Sequence, residues 1–149
     1  MSTDPDDRLS IRQVGALPFR RRRKSKSIEI LLVSSRRTGR WIIPKGHVER
    51  GTDDRAMARL EAFEEAGVTG KVPKRPIGTF GYLKYYDDGR IADSVVTVYA
   101  LAVADIHDEW PEKRQRTRIW VDLHSASEMV DEPDLAALIL SFAATRKRK

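Results

Sequence analysis

The sequence predicts a single domain of mixed α/β (α+β) class, in which helices pack on the faces of a mixed β-sheet. At 149 residues the chain is long enough to bury a substantial core. Short β-branched segments bounded by turn signals have the composition of strands, whereas two longer segments place apolar residues at helical spacing. Because no internal repeat or low-complexity linker divides the chain, we expect one core.

The predicted strands are short apolar segments separated by turn signals or by charged runs. They lie at residues 11–19, 28–33, 41–43, 77–86, 91–104 and 118–121. Pro44 ends the third strand, because proline lacks the amide hydrogen that a sheet needs. The fourth and fifth strands flank Asp87-Asp-Gly-Arg90, a strong turn signal, and are expected to pair with each other.

The first predicted helix runs from about Asp53 to Ala66. Thr52 can serve as its N-cap, and Asp53 and Asp54 place negative charge favourably in the first turn. The apolar face of this helix is expected at Ala56, Leu60 and Phe63. Within that face, Leu60 is expected to pack in the core.

A second predicted helix begins near Pro133, which suits a first helical turn. Its apolar stripe, expected to face the core, consists of Leu135, Leu138, Ile139 and Phe142. These elements place the folded domain at residues 11–143. A disordered N-terminal tail is expected at residues 1–10, and a basic C-terminal tail at residues 144–149.

Composition excludes several classes of protein. Cysteine is absent, so disulfides and cysteine-ligated zinc are excluded. The three histidines, at positions 47, 107 and 124, are scattered without the spacing of metal ligands. No apolar run approaches the roughly 18 residues that a membrane span needs, and the acidic N-terminus does not resemble a signal peptide. A protein of the reducing cytoplasm that does not bind membranes fits these observations.

The chain is basic, with a net charge of +6 and a pI of about 9.8, which favours an anionic partner. The strongest basic run, Arg20–Lys26, falls between the first two predicted strands. It is either a solvated hairpin loop or a flexible phosphate clamp near the active site. Nucleic-acid binding is disfavoured, because this run has no interleaved aromatic residues and no known binding motif is present.

Three glutamates are crowded into about one helical turn of the first predicted helix: Glu61, Glu64 and Glu65. Spacings of three and four residues place their side chains in one neighbourhood of the helix surface, where like charges repel. Glu64 and Glu65 also precede Gly67, an expected helix end, where the helix dipole disfavours anions. A hard divalent cation would remove both penalties, although a solvated acidic surface is the simpler explanation for the glutamates alone.

The residues on either side of these glutamates favour a metal site over a solvated acidic surface. Gly46 stands before them, and Gly67 and Val68 follow them, at the spacings of the Nudix box. That motif runs Gly, five residues, Glu, seven residues, Arg-Glu, an apolar residue, any residue, Glu-Glu, any residue, Gly and an apolar residue. The segment therefore resembles the Nudix hydrolases, whose α/β/α sandwich with a mixed β-sheet would extend from about Ile11 to Phe142.

Two positions depart from the motif: Thr52 replaces the first Glu, and Leu60 replaces Arg. In the family those two side chains are described as supporting the loop and helix by pairing with each other. Because both charged side chains are absent, neither is left without its partner, so we expect the fold to survive. The rate, the metal affinity and the rigidity of the loop are the properties that the departures put in question.

The resemblance implies a site that uses Mg²⁺ or Mn²⁺. Glu61, Glu64 and Glu65 would be the catalytic carboxylates and metal ligands, and the backbone carbonyl of Lys45 or Gly46 would complete the metal shell. The general base varies within the family, so it can be one of these glutamates or a carboxylate outside the box. Glu109 and Glu112 are candidates, and exposed loop acids are the alternative interpretation for both.

Further stretches resemble the diphosphoinositol and diadenosine polyphosphate phosphohydrolase branch of the family, among them residues 31–36 and 109–120. In that branch a Ser-Ser-Arg segment and basic residues near the late strand contact phosphates. The matching positions in this sequence are Ser34, Ser35, Arg36, Arg114 and Arg116. Lys45, beside Gly46, adds another cation. Arginine suits crowded phosphates because its guanidinium donates in a fork. An exposed charged loop is the alternative for Arg114 and Arg116.

The sequence therefore predicts a metal-dependent hydrolase of a phosphoanhydride bond, acting on a small-molecule polyphosphate. The substrate would be a nucleoside or dinucleoside polyphosphate, or a diphosphoinositol polyphosphate. Two alternatives stay open. One is a non-catalytic Nudix domain that binds a phosphorylated ligand, and the other is a basic nucleic-acid-binding domain. The oligomeric state and the scissile bond are not predicted.

Overall fold

The computed structural model describes residues 9–146, with side chains as far as Phe142. Within that range the chain forms eight strands and three helices around one mixed sheet, which confirms the predicted class. The elements, in chain order, are β1 (Leu9–Arg21), β2 (Ile28–Ser34), β3 (Trp41–Ile42), β4 (Lys45–His47), α1 (Asp54–Ala66), β5 (Val68–Lys71), β6 (Gly78–Tyr85), β7 (Ile91–Ile106), β8 (Arg118–Asp122), α2 (Leu123–Met129) and α3 (Pro133–Arg146).

Strand β1 is the centre of the sheet. It pairs in parallel with β7, from Leu9 opposite Ala92 to Phe19 opposite Ala102, and antiparallel with β2 near its C-terminal end. The short β4 also pairs with β1, with Gly15 opposite Lys45, so the start of the α1 loop is fixed to the sheet. At 16 residues β7 is long enough to pair with β5 and β6 as well.

The sheet is buried on both faces, which makes the domain an α/β/α sandwich. Ile30 and Leu32 of β2 face the core beneath α2 and α3, whereas Leu31 and Val33 face the core beneath α1. Successive strand residues point to opposite faces, so an unbroken apolar run such as β2 indicates a strand that is covered twice. The predicted stripe on α3 packs as expected for Leu135, Ile139 and Phe142, which are buried.

The predicted apolar face of α1 is wrong. Leu60 is 44% exposed, and the helix instead buries Met57, Ala58, Ala62 and Ala66 against the sheet. Each residue of a helix turns about 100°, so Leu60 lies about 200° from both Ala58 and Ala62. The small alanines allow α1 to pack closely on the sheet, and that orientation turns Leu60 toward solvent.

The helix also begins one residue later than predicted. Asp53 is the N-cap, with φ −65° and ψ 135°, and its side chain makes no capping hydrogen bond. Thr52, the expected N-cap, precedes it, and its amide donates to the Glu49 carbonyl instead. An ion pair between Arg12 and Asp54 connects β1 to the first turn.

Elements near the two ends extend beyond their predicted limits. Strand β1 begins at Leu9 rather than Ile11, because Leu9 and Ser10 pair with β7. The helix α3 continues to Arg146, into the predicted basic tail. The rest of the two predicted tails, residues 1–8 and 147–149, lies outside the described residues. None of the helices between residues 9 and 146 has both the length and the apolar character of a membrane span.

Candidate active site

A pocket of about 690 Å³ opens where the C-terminal half of α1 meets β4, β6 and the segment before β8. Its lining includes the carboxylates of Glu49, Glu61, Glu64, Glu65 and Glu112. It also includes the cations Arg36, Arg37, Arg40, Lys45, Lys84 and Arg116. A pocket that holds both kinds of charge suits an anionic ligand that arrives together with a cation.

Glu61 and Glu65 are one helical turn apart on α1, and their carboxyl groups hydrogen-bond to each other. Glu65 is buried, and its burial, together with the nearby Glu61, raises its pKa to about 8, although Arg116 opposes that shift. Burial also raises the pKa of Glu61. Two carboxyl groups this close cannot both ionise easily in a desolvated place, so in the absence of a cation the pair retains a proton.

Gly46 provides the space for this pair. A Cβ atom at position 46 would lie 2.2 Å from Oε1 of Glu61, so only glycine allows the carboxylate to approach β4. The Lys45 amide donates to Oε1 of Glu65 at 3.3 Å, which connects the same strand to the second carboxylate. The pairing of β4 with β1 holds this backbone against α1.

Arg116 lies deep in the pocket, with only 6% of its side chain exposed. Its Nη2 is 3.5 Å from Oε2 of Glu65, and its Nε donates to Oε1 of Glu112 at 2.9 Å. The carbonyl of Ser34 accepts from Arg116 Nη1 at 3.1 Å. A fixed guanidinium beside two carboxylates is placed to neutralise negative charge that develops in the pocket.

Lys45 brings a second, half-buried cation to the carboxylates. Burial lowers its pKa to about 8, against the opposing charge of Glu65. Its Nζ lies 5.0 Å from the centre of the Tyr82 ring, and the Tyr82 hydroxyl donates to Oε1 of Gln13 at 2.6 Å. Ser94 also donates to that oxygen, so a buried polar network fixes the ring beneath Lys45.

The comparisons with known proteins agree with this geometry. A family model of the NUDIX domain matches residues 10–141. This chain belongs to the Nudix family. The Nudix box of the family corresponds here to β4, the following loop and α1, which are the elements that carry Gly46 and the glutamates.

Several relatives are similar over most of this Nudix chain. It is 33% identical to Nudix hydrolase 4 of Arabidopsis thaliana over 130 residues, which cover 83% of this chain and 61% of that protein. It is 33% identical to the diphosphoinositol polyphosphate phosphohydrolase 3-beta of Bos taurus over 111 residues, covering 72% and 63%. The chain thus spans about three fifths of the length of these two relatives.

Solved structures support the same fold. The binary complex of the C. elegans Ap4A hydrolase superposes with a TM-score of 0.69 at 22% identity, covering 93% of this chain and 99% of that one. The Bacillus halodurans MutT protein superposes with a TM-score of 0.62 at 16% identity, covering 87% and 79%. At these identities the likeness establishes the Nudix fold and nothing finer.

Nudix hydrolases generally depend on a divalent cation, and the residues present fit one. The carboxylates of Glu61 and Glu65 offer paired oxygen ligands of the kind that hard cations prefer. A bound cation would displace the proton that the two carboxyl groups share. Among the described residues, however, no three His, Asp or Glu side chains already form a metal-binding cluster. A cation held by this pair would therefore take its other ligands from backbone, water and substrate, as Mg²⁺ commonly does.

Most of the residues expected at the site from the sequence line this pocket. They are Ser35, Arg36, Lys45, Gly46, Glu61, Glu64, Glu65 and Arg116. Ser34 lies beside the lining, where its Oγ accepts from the Thr117 amide at 2.8 Å. Arg114 is exposed and lies outside the lining. Of the two carboxylates considered outside the Nudix box, Glu112 lines the pocket, whereas Glu109 is 86% exposed and pairs with Lys113.

Sequence reasoning missed other lining residues because no local pattern distinguishes them. Arg40, just before β3, is held by Glu132, just before α3, through two hydrogen bonds of 3.1 and 2.9 Å. Lys84 and Tyr82 come from β6, a strand that alternates regularly and whose outward residues look like ordinary surface. Their role follows only from the position of β6 beside the pocket.

The basic run Arg20–Lys26 does not lie near this site. It covers the last two residues of β1 and the hairpin that leads to β2, and it begins five residues beyond Gly15, which is opposite Lys45. At roughly 3.3 Å per strand residue, even its nearest residue is about 17 Å along the strand from Gly15. Arg20 and Arg22 pair there with the buried Glu29, at 2.9 and 3.0 Å. The hypothesis of a phosphate clamp at the active site is therefore wrong for this loop.

Proposed function

We propose that this Nudix chain is a divalent-metal-dependent hydrolase that cleaves a phosphoanhydride bond through attack of water on phosphorus. The observation that carries the proposal is the hydrogen-bonded pair of the half-buried Glu61 and the buried Glu65, which lies against Gly46 and Lys45 of β4. Such a pair is unfavourable for a protein that binds no cation, because burial and like charge both oppose its ionisation. A Nudix hydrolase explains why the chain maintains it.

Each residue of the site has a distinct task in this proposal. Glu61 and Glu65 would hold the cation, with Mg²⁺ or Mn²⁺ as the expected ion, and Glu64 would contribute directly or through water. When bound, the cation would neutralise phosphate charge and lower the pKa of a water molecule. Glu112 is a candidate general base because it lines the pocket and lies outside the pair. Arg116 and Lys45 lie beside the carboxylates and would neutralise charge on the reacting phosphate.

The cationic lining supports a substrate with several phosphates. Arg36, Arg37 and Lys84 line the pocket in addition to Arg116 and Lys45. A nucleoside or dinucleoside polyphosphate, or a diphosphoinositol polyphosphate, would satisfy these cations better than a sugar nucleotide with two phosphates. The names of the similar relatives and solved structures include both kinds of substrate. A cytoplasmic location, expected from the absence of cysteine, remains part of the proposal.

A second candidate is a Nudix domain that binds a phosphorylated ligand without cleaving it. The observation that favours it is Arg116 beside Glu65, because a fixed cation already offsets part of the charge that a metal would neutralise. The departures at Thr52 and Leu60 point in the same direction. In this case the pocket would bind polyphosphates in the absence of any divalent cation.

One experiment separates the two candidates. The purified protein is incubated with Mg²⁺ or Mn²⁺ and a panel of diadenosine polyphosphates, inositol pyrophosphates, nucleoside triphosphates and sugar nucleotides, with a chelator as the control. The hydrolase proposal expects turnover of a polyphosphate that stops when the cation is removed. Metal-independent binding without turnover of any member of the panel would establish the binding domain instead.

A further inference from the structure

The last turn of α1 has physical reasons to fray, although it carries Glu64 and Glu65. The final carbonyl groups of any helix lack partners within the helix. The negative end of the helix dipole disfavours the two glutamates, and α1 has no basic residue of its own in the last turn. A helix end that places two carboxylates in a buried pocket therefore needs support from elsewhere in the fold.

The segment from His107 to Arg118 provides that support. Four successive carbonyls at the end of α1 each accept a hydrogen bond from it. The bonds are Glu112 N to Glu64 O at 3.0 Å, Trp110 Nε1 to Glu65 O at 3.1 Å, Arg118 Nη1 to Ala66 O at 2.9 Å, and His107 N to Gly67 O at 2.8 Å. Two of the four donors are side chains, so a substitution can remove them without changing the backbone.

Trp110, Arg118 and Gly67 fit closely together. The Arg118 guanidinium lies 4.0 Å from the centre of the Trp110 ring, which holds it over the negative end of the helix. Gly67 ends the helix in the left-handed region, with φ +68°. A Cβ atom there would lie 2.6 Å from the Trp110 ring and 2.7 Å from Arg118 Nη1. The glycine is thus required both by its backbone angle and by the two side chains beside it.

We propose that Trp110 and Arg118 are positioning residues that hold the last turn of α1, and with it Glu64 and Glu65, in the orientation that binds a cation. Trp110 binds the backbone carbonyl of Glu65 itself, the residue whose side chain would bind the cation. Arg118 replaces, from another part of the chain, the cation that the helix lacks at its own end. The inference rests on the proposed function, because only a metal-dependent site needs this orientation.

Trp110→Phe removes the N–H donor and one of the two fused rings while keeping an aromatic ring, so its effect must be compared with that of the same substitution elsewhere. Trp120→Phe is the matched control, because Trp120 also lies under an arginine, with Arg20 at 4.1 Å, but at another place in the sheet. A second pair, Arg118→Met and Arg118→Lys, separates loss of the cation from loss of the guanidinium shape. Arg118→Lys should retain part of the stabilisation of the helix end that Arg118→Met loses, because lysine keeps the positive charge.

Two readouts follow the position of the helix end without relying on turnover. Amide hydrogen exchange in peptides that cover residues 61–68 reports fraying, and electron paramagnetic resonance reports the Kd for Mn²⁺. We expect Trp110→Phe and Arg118→Met each to accelerate exchange and to raise the Mn²⁺ Kd by about 3- to 10-fold. Trp120→Phe should change both by less than about twofold.

Equal exchange and equal Mn²⁺ affinity in all four variants would overturn the proposal and leave Trp110 and Arg118 as packing residues. Faster exchange with unchanged Mn²⁺ affinity would overturn it as well, because the helix end would then not govern the carboxylates. If the wild-type protein binds no Mn²⁺ at all, the proposed hydrolase function fails. In that case exchange at residues 61–68 alone decides whether the two residues hold the helix.

Discussion

Gly46 and Glu61 occupy complementary space: a Cβ atom on Gly46 would lie 2.2 Å from Oε1 and 2.4 Å from Cδ of Glu61. This requirement for glycine is steric. The atoms that a new side chain would meet belong to the flexible end of Glu61, so the carboxylate can move aside while the surrounding fold stays intact.

We therefore expect Gly46→Ala to keep a thermal stability within about 1 kcal/mol of wild type while its metal-dependent hydrolysis falls on the order of 100-fold. Thermal unfolding and initial rates measured on the same preparation check this. Gly81→Ala is the control, because its Cβ would meet only the Ser94 carbonyl at an ordinary 3.6 Å. A fully active Gly46→Ala protein would show that Glu61 does not act at that position.

Glu65→Gln should separate function from stability. The amide keeps a hydrogen-bonding side chain of the same shape but cannot ionise, so it avoids the desolvation and the repulsion from Glu61 that raise the pKa of Glu65 to about 8. We expect the metal-free variant to be no less stable than wild type, while turnover falls on the order of 100-fold or more. Rates with Mg²⁺ and unfolding in a chelator test the two parts, with the exposed Glu109→Gln as control. An unchanged rate would contradict the assignment of Glu65 as a metal ligand.

Arg36 and the distant hairpin should differ in their effect on substrate binding. Arg36 lies at the pocket, whereas Arg22 and Arg23 lie in the hairpin at the other end of β1. Arg36→Gln should raise KM for a highly charged polyphosphate by about two- to fivefold at low salt, the effect of one exposed charge. The double variant Arg22→Gln, Arg23→Gln should leave KM unchanged, and a rise in its KM would place the hairpin at the substrate.

Restoring the two missing residues of the Nudix box should change little. Leu60 is 44% exposed, so an arginine there enters solvent without disturbing the core. The ion pair between Arg12 and Asp54 and the pairing of β4 with β1 already hold the loop and the helix start. We expect Thr52→Glu with Leu60→Arg to alter kcat by less than about threefold. Steady-state kinetics test this, and a large gain would show that the chain has not compensated for the loss.

Glu29 predicts a pH dependence of stability that is independent of the active site. Burial opposes its ionisation, but hydrogen bonds from Arg20 and Arg22 outweigh burial and hold its pKa below the ordinary value of 4.5. The folded state therefore binds the proton less readily than the unfolded state, so the stabilisation is complete above that value and is lost as the pH falls through the lower folded pKa.

Glu29→Gln should accordingly lower the free energy of unfolding at neutral pH by roughly 1–3 kcal/mol, because both arginines lose a charged partner. The difference between wild type and variant should shrink as the pH is lowered below about 4. Urea unfolding at a series of pH values measures it. A difference that stays constant with pH would mean that the ionised form of Glu29 contributes nothing.

The parts of the fold that repeat a local pattern could be predicted from the sequence. The β2 strand was evident because an unbroken β-branched run indicates burial on both faces, and α3 because its stripe follows helical spacing. The orientation of α1 was not predictable, since its alanines give a weak hydrophobic signal and Leu60 a strong one. Close packing of small residues decided the orientation, and that depends on the sheet beneath the helix.

The residues of the candidate site also fall into two groups, those that a local pattern predicts and those that no local pattern predicts. Glu61, Glu65 and Gly46 were found because the Nudix box fixes their spacing along the chain. Arg40, Lys84 and Tyr82 reach the pocket from elements distant in sequence, so no spacing could reveal them. The short strands β4 and β5 and the helix α2 were also missed, because each has too few residues to show a period.

The most direct test of this account is a crystal structure of the protein with Mg²⁺ and a non-hydrolysable polyphosphate. We predict electron density for a cation in contact with the carboxylates of both Glu61 and Glu65 beneath Gly46, with a phosphate group on the same ion. A structure with the phosphate bound and the two carboxyl groups still hydrogen-bonded to each other, without an ion, would contradict the account.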